Sequence, residues 1–289
     1  MMNKLRSYNA ENVGLKYAQD SHHKDTELVF VGLGLVGFKS CSLEILQVLQ
    51  ASDVIFLEDY TNFILREIPP PFQDITKKIA TITRKELEED DEEFFKRIRG
   101  LKVVLLIPGD PFIATTHISL RISAEEKGIN YRIIHNTSIL SAAISASGLS
   151  PYRFGRTVTC PFPQNPSEHP YNIIKGNQQI KAHTLLLLDI NPVSGEFVSI
   201  DQALSMLMDM EHKNQEGLIK ETSLAIGIAR LGYKDVTIAA GTIQQLIDRD
   251  WNAIGPPQCV IIIDSELHFA EKQTLKTVWK IHDDLKRDK

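Results

Sequence analysis

From Leu28 onward the chain alternates short apolar runs, closed by glycine, proline or polar clusters, with stretches of helical periodicity. The run Leu28-Val29-Phe30-Val31 ends on Gly32-Leu33-Gly34, which reads as a buried strand entering a turn. An amphipathic stretch over residues 43–49 and a second strand over 54–57, closing on Glu58 and Asp59, complete one βαβ unit. Pro69-Pro70-Pro71 marks a loop and residues 85–99 an acidic helix. A third strand over 103–107 is stopped by Pro108-Gly109, and a helix over 117–127 and a strand over 131–134 follow. Strands alternating with helices predict a largely parallel sheet with helices on its faces.

After residues 139–146 the texture changes, with Gly148, Pro151, Gly155, Pro161, Pro163 and Pro166 interrupting the chain. The predicted boundary lies near Ser150, giving α/β domains over 26–150 and 151–289. The second carries an apolar strand over 184–188 and an amphipathic helix over 200–210. Strands over 224–229 and 259–263 follow, then a C-terminal helix from Phe269. Residues 1–25 are polar and without sustained period, as expected of a flexible extension outside the core.

Composition narrows the class. A chain of 289 residues has room for two domains, and 43% hydrophobic with 24% charged residues argues against disorder, a fibrous repeat or a membrane protein. The net charge of -5 gives no broad basic footprint, so nucleic acid is not expected as a partner. Cys41, Cys160 and Cys259 are odd in number and lack CxxC spacing, which predicts reduced core thiols and no structural metal. No stretch approaches the roughly 20 apolar residues of a membrane span, and the N-terminus lacks a secretory apolar core. The cytoplasm is the expected compartment, with no membrane partner.

Three loops carry candidate chemistry. Gly32-Leu33-Gly34-Leu35-Val36-Gly37 matches GxGxxG after a strand, with Glu58 and Asp59 roughly 20 residues on, as a dinucleotide fingerprint requires. In that fingerprint the glycines open a helix whose N-terminus faces a pyrophosphate. Here Phe38-Lys39-Ser40-Cys41-Ser42 intervenes, with Ser40 or Ser42 as the helix cap, so an NAD-binding oxidoreductase is the weaker reading. A plain glycine turn is the bland alternative. Pro108-Gly109-Asp110-Pro111 stands at the end of the third strand, where ligands of open α/β sheets collect, and Asp110 offers acceptor oxygens to hydroxyl or ammonium groups. His135-Asn136-Thr137-Ser138-Ile139 likewise follows a strand, and Ser138 alone reads more readily as a helix cap. Three such loops at three strand ends describe a shared cleft better than three unrelated turns.

The wording of these segments resembles the diphthine synthases. The resemblance rests on strand-Gly32-Leu33-Gly34-Leu35, Leu57-Glu58-Asp59-Tyr60-Thr61 and Pro108-Gly109-Asp110-Pro111-Phe112-Ile113-Ala114-Thr115-Thr116-His117. It continues through Ile134-His135-Asn136-Thr137-Ser138-Ile139, Tyr152-Arg153-Phe154-Gly155, His183 through Ile190, Ala229-Arg230-Leu231-Gly232 and Gly255-Pro256-Pro257. It implies two α/β domains of the tetrapyrrole methylase type with S-adenosylmethionine folded in the cleft between them. S-adenosylhomocysteine is then the spent product. Carried over motif by motif, the donor contacts are Leu35, Asp110, Ile113, Ser138 and Ile139 in the first domain and Leu188, Leu231 and Gln258 in the second. Leu231 replaces an alanine and Gln258 a histidine of the family pattern, and Ser40-Cys41-Ser42 stands in place of Asp-Ile-Thr.

The implied reaction is methylation of the amino group of the aminocarboxypropyl-histidine of translation elongation factor 2, in diphthamide biosynthesis, by a homodimer. The short connection between Ile190 and Ser199 resembles archaeal-type members, which stop at the trimethylated product, diphthine. A tetrapyrrole or corrinoid precursor methyltransferase of the same fold is the rival enzyme, and a docking module with a vestigial cleft the non-enzymatic one. His117 and His135 are candidate general bases, each weighed below a structural role.

Overall fold

The computed structural model describes residues 26–58, 60, 68–89 and 91–281. The extension predicted over 1–25, and Asp59 of the fingerprint, lie outside the described residues. The chain divides into two compact units, one ending at Ile139 and the other beginning at Leu140.

The first unit is built from β1 (Glu27–Gly32), α1 (Leu43–Ala51), β2 (Val54–Glu58), β3 (Ile79–Ile82), α2 (Asp91–Arg97), β4 (Lys102–Ile107), α3 (Ile118–Glu126) and β5 (Asn130–Ile134). The strands form one sheet in the order β3-β2-β4-β1-β5, every neighbouring pair parallel. β1, β2 and β4 read as continuous apolar runs because both faces of the sheet are covered. Leu28, Phe30, Phe56 and Leu105 pack on one face with Phe94 and Phe95 of α2, while Val29, Val31, Ile55 and Leu106 pack on the other with Ile45 and Leu49 of α1. Each fully buried side chain of this size contributes about 1.5–3 kcal/mol relative to exposure. The acidic segment predicted as one helix is two, a wide turn over Lys85–Glu89 and then α2. Glu86 bends back to accept from the main-chain N–H and hydroxyl of Thr83 at 2.9 and 2.7 Å.

The second unit contains α4 (Ile139–Ser147), whose first residue is the last of the first unit, then β6 (Val158–Cys160), α5 (His169–Gln179), β7 (Thr184–Leu188), β8 (Ile190–Asn191) and β9 (Glu196–Phe197). It continues with α6 (Ile200–Asn214), β10 (Leu224–Ala229), β11 (Thr237–Thr242), α7 (Ile243–Ile247), β12 (Gln258–Ile262) and α8 (Phe269–Thr277). Its sheet runs β11-β10-β12-β7-β6 and is antiparallel except for the β6–β7 pair. Trp251 is fully buried in its core, and its indole N–H donates to the Leu246 carbonyl at 2.8 Å.

The division falls one residue into α4, whereas the expected boundary at Ser150 lies after that helix. The end of α4 is tied to the last of the described elements. The indole N–H of Trp279 donates to Ser147 O at 2.8 Å, and the Ser150 N–H donates to the Glu271 carboxylate at 3.0 Å. The glycines and prolines that suggested a boundary mark the loop leaving the helix.

Candidate functional site

Because β4, β1 and β5 are neighbours and parallel, the three loops singled out above leave the same edge of the first sheet side by side. The first two are joined through their main chains. Gly34 N–H donates to Gly109 O at 3.0 Å and Gly109 N–H to Gly34 O at 2.9 Å. Both glycines have positive φ, +61° and +72°, where a side chain would be strained. A Cβ on Gly32 would stand 2.6 Å from Gly109 O, whereas one on Gly109 would meet nothing within 4 Å, so that loop turns bare main chain toward open space.

Asn136 ties in the third loop. Its amide donates to Gly32 O at 2.9 Å and Ser40 O at 3.2 Å, and its own carbonyl accepts from Thr137 N–H at 2.8 Å. Asp110 is buried, with one carboxylate oxygen accepting from Phe112 N–H at 3.1 Å and the other 2.8 Å from His135 Nδ1. The His135 side chain is 69% exposed. The structure thus gathers the loops of five predicted site residues at one edge: Leu35, Ser138 and Ile139 half-buried, Asp110 buried and Ile113 exposed.

The other three occupy one end of the second sheet. Gln258 pairs with Ala229, just before Leu231, and its successor Cys259 pairs with Leu187, just before Leu188. The Gln258 amide is occupied: Oε1 accepts from Ile200 N–H at 3.0 Å, and Nε2 donates to Trp251 O and Gly255 O at 2.8 and 3.0 Å. Leu188 packs into the hydrophobic core. The side chains of these two residues serve the fold first.

His117 differs from His135. It is buried beside Glu58, its Nε2 3.9 Å from the carboxylate, too far for a hydrogen bond, and its ring stacks on Tyr60. Burial lowers its pKa to about 4, against the opposing pull of Glu88, which leaves a neutral imidazole at pH 7. Among the described residues neither of its ring nitrogens has a hydrogen-bond partner.

The helix after the glycine turn starts late, as expected. A tight turn over Gly37–Ser40 intervenes, and α1 begins at Leu43 with the Ser42 hydroxyl accepting from Ile45 N–H at 3.3 Å. The glycines do not open a helix, which removes the anion-binding N-terminus on which the dinucleotide reading depends. Sequence reasoning missed Asn136 as a staple and the contact between His135 and Asp110. An asparagine after a strand signals only a turn, and no local pattern brings two loops together.

A doubly covered parallel sheet with glycine-rich and polar loops crowded at its carboxyl edge defines a ligand-binding α/β protein. Comparison with known proteins sharpens the class. Residues 27–247 match the family described as Tetrapyrrole (Corrin/Porphyrin) Methylases. Diphthine synthase of Methanopyrus kandleri is 36% identical over 259 residues, covering 87% of this chain and 95% of that protein. That of Methanocaldococcus jannaschii is 35% identical over 254 residues, covering 86% and 97%. A crystal structure of diphthine synthase superposes with a TM-score of 0.80 at 33% identity, covering 90% of this chain and 99% of that one. The chain belongs to the tetrapyrrole methylase family and, within it, to the diphthine synthases. It is a methyltransferase, and among the described residues no helix is long and apolar enough to cross a membrane.

Proposed function

We propose that this methyltransferase uses S-adenosylmethionine to trimethylate the amino group of the aminocarboxypropyl-histidine of translation elongation factor 2, giving diphthine. The observation that carries the reading is the loop cluster around Gly34, Gly109 and Asp110 in a chain of diphthine synthase lineage. The residues suit the donor: Gly109 leaves main chain open to close approach, and the buried Asp110 carboxylate retains lone pairs for hydroxyl or ammonium groups. When bound, the donor supplies a methyl group on a sulfonium, a leaving group needing no further activation. The protein's own work is then to hold donor and acceptor in line and exclude water.

On this reading Leu35, Asp110, Ile113, Ser138 and Ile139 contact the donor from the first unit, and Leu188, Leu231 and Gln258 from the second. Since the Gln258 side chain is committed within its own unit, we assign its contact to the main chain. The short connection after β7, where only the β8–β9 hairpin separates Leu188 from Ser199, supports three methyl groups without a further methyl ester through its likeness to archaeal-type members. The enzyme acts as a cytoplasmic homodimer. Offering the protein labelled donor with either precursor elongation factor 2 or a tetrapyrrole precursor tests the assignment. Label on the protein acceptor supports it, and label on the macrocycle alone overturns it.

A further inference from the structure

The Asp110–His135 pair has the form of an oriented base. The Asp110 side chain is 8% exposed and that of His135 69%, and they meet at 2.8 Å through Nδ1. The neighbouring main chain is pinned by the Asn136 amide to Gly32 O and Ser40 O, so the ring is fixed from two loops. Asp110 accepts the Nδ1 proton, which leaves the Nε2 lone pair turned outward in the neutral tautomer. Among the described residues Nε2 has no hydrogen-bond partner. His117, the other histidine at this edge, is buried and lies beyond hydrogen-bond reach of its nearest carboxylate.

We propose that His135 is the proton acceptor of methyl transfer and that Asp110 is its positioning residue; the proposal rests on the reading given above. The acceptor amine enters as an ammonium and cannot attack until a nitrogen lone pair is freed. One N–H bond breaks, its electron pair stays on nitrogen, and the proton moves to His135 Nε2, giving an imidazolium whose Nδ1–H faces the Asp110 carboxylate. The nitrogen then forms the new N–C bond while the S–C bond breaks, sulfur keeping that pair, and the imidazolium returns its proton to water. Each of the three rounds consumes one such deprotonation, the last leaving a quaternary nitrogen with no proton to lose.

The test compares wild type with His135→Gln and His135→Ala. Calorimetry with S-adenosylmethionine should give donor affinities within about twofold of wild type, since donor contacts remain. Methyl transfer to precursor elongation factor 2 should fall about a hundredfold or more. The deficit should shrink as pH rises, because solution then deprotonates the amine, and added imidazole should restore part of the His135→Ala rate. Independently of turnover, nitrogen NMR of the imidazole should show Nδ1 protonated and Nε2 bare. Wild-type transfer matched by His135→Gln, a deficit constant across pH, or a ring protonated at Nε2 would overturn the proposal and leave the donor and acceptor assignments intact. Wild type that transfers nothing to elongation factor 2 overturns the acceptor assignment and the proposal together.

Discussion

Gly34 and Gly109 exchange two main-chain hydrogen bonds, 3.0 and 2.9 Å, although one follows β1 and the other β4. This stitch sets the spacing of two of the three loops, and Gly32 lies directly beneath it. Gly32→Ala would place a Cβ 2.6 Å from Gly109 O and 2.9 Å from the Asn136 Cβ, forcing main chain apart. The expected cost is about 1–3 kcal/mol in chemical denaturation, with weakened donor affinity by calorimetry. An unchanged donor affinity in a folded variant would show that the stitch is not part of the donor site.

Asp110→Ala removes a charged acceptor from the centre of the loop cluster. Hydrogen bonds to charged groups are worth about 1.5–3 kcal/mol, so the donor dissociation constant should rise roughly ten- to a hundredfold. Calorimetry that finds no change would remove Asp110 from the donor site.

Acid should loosen the second unit. His183 Nδ1 accepts the Asp264 N–H at 3.0 Å, so Nε2 carries the proton that meets the Glu271 carboxylate at 3.0 Å. Burial holds the His183 pKa below its ordinary 6.5, with Glu271 pulling the other way. For Glu271, burial opposes ionisation, but hydrogen bonds from His183 and from the His268 and Ser150 N–H groups prevail and hold it below 4.5. Both folded values are depressed, so both contributions are complete above the unfolded values and are lost as pH falls through the folded ones. Unfolding free energy should decline once pH drops below about 6.5, and more steeply below about 4.5. Glu271→Ala, which removes the hydrogen-bond partner of buried His183 and an ion-pair partner of half-buried Arg153, should cost about 1–3 kcal/mol at pH 7. Flat stability between pH 7 and pH 5 would contradict this.

The thiols should be inert in the native state. Burial pushes Cys41 and Cys259 up to about 12, and burial with the nearby Asp189 pushes Cys160 up to about 11, which removes the reactive thiolate. Iodoacetamide at pH 8 should label none of the three on the timescale that labels the denatured chain; rapid native labelling of Cys160 or Cys259 would contradict the packing.

Strands such as β1, β2, β4 and β7 were legible because burial on both faces writes a strand as an unbroken apolar run. β3, β6 and β11 were not. β3 and β6 are four and three residues long, and β11 is the half-buried, alanine- and glycine-rich Thr-Ile-Ala-Ala-Gly-Thr, which has no apolar run. Strand direction in the second sheet depends on pairings between distant segments, which periodicity does not encode. The same holds at the site: composition marked each loop, but only the order β4-β1-β5 puts Asp110 against His135 and Asn136 against Gly32.

The most direct test of the central claim is the mass of the modified histidine peptide from precursor elongation factor 2, incubated with this protein and S-adenosylmethionine. The expected result is a gain of three methyl groups, all on the amino nitrogen. A peptide of unchanged mass in the presence of bound donor, or one carrying a fourth methyl group as an ester, would contradict it.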